Sequence, residues 1–261
     1  MIELNKIYNE SNLETMKRMT DNFIDLTVTS PPYDNLRNYN GYSFDFESVA
    51  KELFRVTKEG GVVVWVVGDA TVNGSESGTS FKQALFFMQC GFNLHDTMIY
   101  AKQNPIPLTH NRYEQAFEYM FVFSKGTPKT FNSISVKTKS NNTKYKWIRG
   151  ESTEKGSAAR SRNEISIVKE TKIIDNIWIY LLANNDNTDH PAPFPEQLAA
   201  DHIYSWSNEN DIIYDPFMGS GTTAKMAYLQ KRKFIGSEIS KEYCDIANKR
   251  LIPYLTQTTL F

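Results

Sequence analysis

One stretch constrains the fold more than any other: IIYDPFMGSGTTAKMAYLQKRKFIGSE, residues 212–238. It spells out a strand, a glycine turn, a helix and a second strand ending in an acid. Gly219 and Gly221 stand in the turn, where a Cβ would block the approach of a ligand. Glu238, at the end of the second strand, is placed to accept hydrogen bonds from ribose hydroxyls. Thr222 and Thr223 occupy the place where a pyrophosphate-binding fingerprint has its third glycine, and no Gly-Lys-Ser/Thr follows. The pattern therefore points to an adenosine-type cofactor without phosphates. Only residues 239–261 remain after Glu238, enough for one helix. The strands that flank this unit must come from the N-terminal half, so the expected fold is an α/β, Rossmann-like, mostly parallel sheet in circularly permuted order.

The N-terminal half supplies such strands. Residues 11–19 read as a short helix with Ser11 as N-cap and Glu14 three positions on. Phe23–Ser30 reads as a buried strand stopped by Pro31-Pro32. An amphipathic helix is expected over 46–57, ended by Gly60-Gly61, then a strand over Val62–Val67. Ser80–Gly91 reads as a helix capped by Gly91, and 92–101 and 116–124 as strands. Later, order resumes at Ile173–Tyr180, and 190–207 reads as a proline-led helix. Alternation of helices and short apolar strands argues for helices on both faces of one sheet. The loop TSPPY, residues 29–33, follows its strand directly and so lies at the strand's carboxyl end, where α/β sheets place ligands. Its two prolines remove two N–H donors and fix the backbone. What remains is a rigid loop of carbonyl oxygens, the Ser30 hydroxyl and the Tyr33 ring, suited to a planar substrate that donates N–H.

Charge adds a third element. The chain carries 29 Lys+Arg against 30 Asp+Glu, a net charge of -1. Residues 127–172 alone hold 11 Lys+Arg and 4 Asp+Glu, a local charge of +7. Within that segment Lys144, Tyr145, Lys146, Trp147, Arg149, Arg160 and Arg162 alternate with Ser, Asn and Thr, a mixture able to stack on and hydrogen-bond to nucleic acid. The expected organisation is thus residues 1–126 and 173–261 as two halves of one domain, interrupted by a basic insertion at 127–172. The longest apolar run is the six residues Val62–Val67, far short of a membrane span. MIELNKIYNE lacks the layout of a signal peptide. With two cysteines, no CxxC and no histidine cluster, neither a disulfide scaffold nor a metal site is expected. The sequence thus reads as cytoplasmic and metal-free.

TSPPY followed far downstream by DPFMGSGTT and GSEIS strongly resembles the beta class of amino-methylating DNA methyltransferases, over nearly the whole chain. The resemblance implies S-adenosylmethionine as cofactor and double-stranded DNA as substrate, in a bacterial, archaeal or phage setting. In that family the target amine, on a base rotated out of the duplex, is held by the loop matching Ser30, Pro31, Pro32 and Tyr33. Asp215, Phe217, Gly219, Gly221, Thr222 and Glu238 match the cofactor-binding positions. His190, Pro191 and Phe194 match a segment closing over the methionine end, although His190 reads equally well as a structural cap. Asp69, ending a strand, is either a pocket residue or a helix cap. The basic insertion matches the family's target-recognition region. Ser rather than Asp or Asn at the first loop position is more typical of enzymes acting on cytosine N4, with adenine N6 as the alternative. Methylation of an RNA amine and a catalytically silent DNA-binding module are further alternatives. A homodimer is a family-level expectation, and a cognate restriction endonuclease is a partner the family's setting allows.

Overall fold

The computed structural model describes residues 2–32, 45–105, 112–138, 144–146, 165–167, 170–181 and 195–256. In chain order the elements begin with β1 (Lys6–Tyr8), α1 (Asn12–Lys17), β2 (Ile24–Thr29), α2 (Phe46–Val56) and β3 (Thr57–Val67). A small hairpin follows, β4 (Thr71–Val72) and β5 (Ser75–Glu76), then α3 (Thr79–Gln89), β6 (Asn93–Lys102) and β7 (Phe117–Ser124). Next come β8 (Ser135–Lys137), β9 (Lys144–Lys146), β10 (Ile165–Ile167) and β11 (Thr171–Ile173). The chain ends with β12 (Ile177–Tyr180), α4 (Glu196–Trp206), β13 (Ile212–Asp215), α5 (Thr222–Leu229), β14 (Lys233–Ser237) and α6 (Lys241–Leu255).

Eight strands form one sheet in the order β1-β14-β13-β2-β3-β7-β6-β12. Only β7 runs against its two neighbours; the other pairings are parallel. The late strand β13 lies between β14 and the early strand β2, which is the permuted order. Helices cover both faces. Along β3 the side chains alternate, and Val63, Trp65 and Val67 join a core with Val49 and Leu53 of α2 and Phe87 of α3. Val62, Val64 and Val66 are equally buried on the opposite face, where α4 packs on β2 and β3 and against α5. Residues 133–175 form a second compact unit of two antiparallel strand pairs, β8 with β11 and β9 with β10.

Two local expectations differ from the structure. Ser11 is the N-cap of α1, but its side chain makes no capping bond. Glu14 instead pairs outward with Lys17 at 2.7 Å, and the Thr15 hydroxyl turns to Glu10. Gly60-Gly61 does not end α2: the helix stops at Val56, and the glycines lie inside β3. There β2 advances from Ile24 to Leu26 while β3 advances from Thr57 to Val62, so β3 bulges. Gly60 takes a φ of 79° in that bulge. A Cβ on Gly61 would come within 2.9 Å of the carbonyls of Asp25 and Lys58.

Candidate active site

The carboxyl ends of β2 and β13 lie side by side, and a buried hydrogen bond ties them. The Thr29 hydroxyl donates to Asp215 Oδ1 at 2.6 Å, across 186 positions of sequence. One element further on, the Thr223 hydroxyl donates to the Val28 carbonyl at 3.2 Å, docking α5 on β2. Ser30, Pro31 and Pro32 continue from Thr29 at this end of the sheet, with Pro31 buried and the other two half-buried.

The glycine turn is held from all sides. Asp215 Oδ1 also accepts the Phe217 N–H at 2.9 Å, and Met218 N–H reaches the Ser237 carbonyl of β14 at 2.9 Å. Gly219 and Gly221 sit at φ of 53° and 86°, left-handed values that favour glycine. Gly221 is also crowded: its Cβ would lie 3.0 Å from that of Ala247 on α6. Behind the turn, Arg250 Nη1 donates to the Ser220 carbonyl and the Thr222 hydroxyl, each at 3.2 Å. Its other arm pairs with Glu196, which also binds Lys225 at 2.5 Å. Both nearby cations thus share one carboxylate, and the cluster keeps a net charge of +1. Burial works against the Glu196 charge, but Lys225 and Arg250 outweigh it and hold its carboxyl below the usual range.

In front of the turn stand two acids. Glu238 accepts the Gly219 N–H on Oε2 and the Ser240 N–H on Oε1, both at 2.8 Å. It is half-buried, and burial pushes its pKa up. Asp215 is buried beneath the turn, and loss of hydration pushes its carboxyl up to about 6 against the pull of its hydrogen bonds. The half-buried Phe217 ring meets Trp65 edge-on at 6.1 Å. Asn12 and Asn9 brace this edge, donating to the carbonyls of Pro216 (3.3 Å) and Glu238 (2.9 Å).

The structure therefore brings Ser30, Pro31 and Pro32 to the same end of the sheet as Asp215, Phe217, Gly219, Gly221, Thr222 and Glu238. Asp69 follows β3 by two residues, and its oxygens serve α3: they accept the Ser80 N–H and the Ser77 hydroxyl, each at 3.0 Å, and the Ser80 hydroxyl. Of its two readings, the helix cap is the one observed. Tyr33, His190, Pro191, Phe194, Trp147, Arg149, Arg160 and Arg162 lie outside the described residues. Lys144 and Lys146 are placed by backbone only, on β9. Sequence reasoning missed Thr29, Asn9, Asn12, Glu196 and Arg250. Thr29 carried a signal, a hydroxyl buried at the end of an apolar strand. Arg250 carried none, because nothing in α6 marks which of its charged residues turns inward.

A family model described as DNA methylase matches residues 24–249. The chain is 58% identical over 244 residues to the orphan methyltransferase M.BamHII of Bacillus amyloliquefaciens, covering 89% of this chain and 90% of that protein. It is 28% identical to the type II methyltransferase M.BglII of Bacillus subtilis, covering 94% and 68%. Among solved structures, the cytosine-N4-specific PvuII DNA methyltransferase superposes with a TM-score of 0.70 at 21% identity, covering 98% of this chain and 87% of that one. The match across 24–249 spans both loops and the segment between them, and the chain belongs to the DNA methylase family.

Proposed function

We propose that this protein transfers a methyl group from S-adenosylmethionine to the exocyclic N4 of cytosine in duplex DNA. The observation that carries the reading is the Thr29–Asp215 bond, which joins the Ser30-Pro31-Pro32 loop to the glycine turn. The donor set suits the cofactor. Glu238 has unshared lone pairs left for ribose hydroxyls, Phe217 offers an apolar surface to an adenine ring, and Asp215 sets a negative field toward a cationic ligand. The neighbouring cations Arg250 and Lys225 both pair with Glu196 behind the turn, which offsets one of their two charges. When bound, the cofactor supplies an electrophilic methyl group on a sulfonium.

The protein's own part is positioning. The Ser30 hydroxyl and the Pro31 carbonyl accept the hydrogens of the target amine and hold its lone pair toward the methyl. Pro31 and Pro32 keep that loop free of competing N–H donors. Tyr33 stacks on the base once it leaves the duplex, an extrusion that costs a few kcal/mol. His190 and Phe194 belong to a segment over the methionine end. The basic segment 127–172, with Lys144, Lys146, Trp147, Arg149, Arg160 and Arg162, contacts phosphates and reads the target sequence. DNA as substrate makes the cytoplasm the working compartment. Among the described residues no helix is long and apolar enough to cross a membrane. The orphan status in the M.BamHII name supports a setting without a cognate endonuclease.

Adenine N6 is the second reading, favoured by 26% identity over 95% of this chain to the DNA adenine methyltransferase YhdJ of Escherichia coli. The test is to incubate the protein with duplex DNA and labelled S-adenosylmethionine, digest to nucleosides, and identify the labelled species by mass spectrometry. N4-methylcytosine is expected. N6-methyladenine would overturn the base assignment, and DNA left without label would overturn the reading itself.

A further inference from the structure

One guanidinium fixes the glycine turn from behind. Helix α6 supports the turn at two positions one helical turn apart. Ala247 is wholly buried, and its Cβ stands 3.0 Å from where a Cβ on Gly221 would lie. Arg250 follows three residues on, and so lies on the same side of the helix. Its Nη1 donates to the Ser220 carbonyl and the Thr222 hydroxyl at 3.2 Å each, and to the Ser220 hydroxyl at 3.4 Å. Ser220 and Thr222 are 3% and 4% exposed, so Arg250 grips the turn from inside, on either side of Gly221.

The other arm of the same guanidinium, Nη2, pairs with Glu196, the first residue of α4. Glu196 also holds Lys225 of α5 at 2.5 Å, and Gln230, just after α5, donates to the Ala200 carbonyl of α4 at 2.9 Å. The Arg250 and Lys225 side chains are 13% and 15% exposed, so both are screened less than surface ions. As a charge, this cluster is net +1 and opposes a cationic cofactor. As geometry, it does something only a guanidinium can do. A planar fork holds two partners at a fixed separation, whereas an ammonium is a point charge on a flexible stem. The two partners are the glycine turn and the residue that follows 190–195, the segment assigned above to the methionine end.

We propose that Arg250 and Glu196 are a positioning pair for the cofactor: without touching it, they lock the glycine turn and the start of α4 into one rigid piece. Cofactor affinity then depends on the fork of Arg250. This role rests on the cofactor lying at the glycine turn, and not on which base is methylated. Arg250→Lys keeps the charge and removes the fork. S-adenosylmethionine binding measured by calorimetry should weaken about tenfold, while kcat on duplex DNA at saturating cofactor stays within about twofold. A merely structural role would do the reverse, lowering kcat per chain as folded protein is lost and leaving the affinity of the remaining sites unchanged. Glu196→Gln keeps the shape but weakens the pair, and it should show the same split. Because the two act as one device, the double substitution should cost less than the product of the single effects. Unmodified affinity in either variant, a fall in kcat with affinity intact, or penalties that multiply would overturn the positioning role alone. An unmodified protein that binds no S-adenosylmethionine would overturn the site assignment with it.

Discussion

Glu238 shows how one side chain can serve the fold and the ligand together. Its two oxygens each accept one backbone N–H, from Gly219 and Ser240, so it shapes the turn before any ribose arrives. Glu238→Gln keeps the size but turns one oxygen into a donor facing an N–H; cofactor affinity measured by calorimetry should fall about tenfold or more. Asp215 titrates near 6 in the fold, so its charge is lost as the pH drops through that value. Affinity for the cationic cofactor should weaken several-fold between pH 7 and 5, and Asp215→Asn should remove that dependence. If affinity in the unmodified protein is flat across that range, the carboxylate does not act through its charge. Glycines, prolines and strand-end acids were legible in the sequence because each has a local backbone consequence. Arg250 was not, because its partner Glu196 lies far along the chain, and the buried hydroxyl of Thr29 gave no hint that its partner is Asp215.

At the scale of elements, Asp69 is the clearest case. A strand-end acid beside a candidate site reads equally as ligand or cap, and only the placement of Ser77 and Ser80 separates the two. Asp69→Ala should lower stability by about 0.5–2 kcal/mol in chemical denaturation, the cost of a lost N-terminal cap, while leaving cofactor affinity unchanged. A loss of cofactor affinity with stability intact would restore the ligand reading. The capping box at Ser11 and the helix stop at Gly60-Gly61 failed for a related reason. Both were local rules, overridden by a short helix with its own ion pair and by a strand whose bulge needs glycine.

For the molecule as a whole, the permuted order was readable because the glycine turn comes late in the sequence and the apolar strand leading into Ser30-Pro31-Pro32 comes early, and the two strands pair as β13 and β2. The exposure of Ile177 and Ile179 on β12 was not readable, since an apolar alternation looks the same in a strand buried on both faces. The fold also predicts a pH limit. His202 is wholly buried between Trp178 and Met120, and loss of hydration pulls its pKa down to about 3. Unfolding frees it to bind a proton below its ordinary value of about 6.5, so its share of stability is intact above that pH and drains away toward pH 3. Buried Asp215 acts in the opposite sense from 6 down to its ordinary value, so the His202 share is isolated by comparing melting curves of the protein and His202→Leu, whose acid dependence should be shallower. An equal acid dependence in the two would rule His202 out.

The central claim is a division of labour between two loops joined by Thr29 and Asp215. Its most direct test is Ser30→Ala, assayed for cofactor affinity by calorimetry and for single-turnover methyl transfer to duplex DNA. The account predicts an affinity within about twofold of the unmodified protein and a transfer rate lower by about 10²-fold, the scale of losing one aligned polar contact to the reacting group. An unchanged rate, or an affinity that falls as far as the rate, would contradict it.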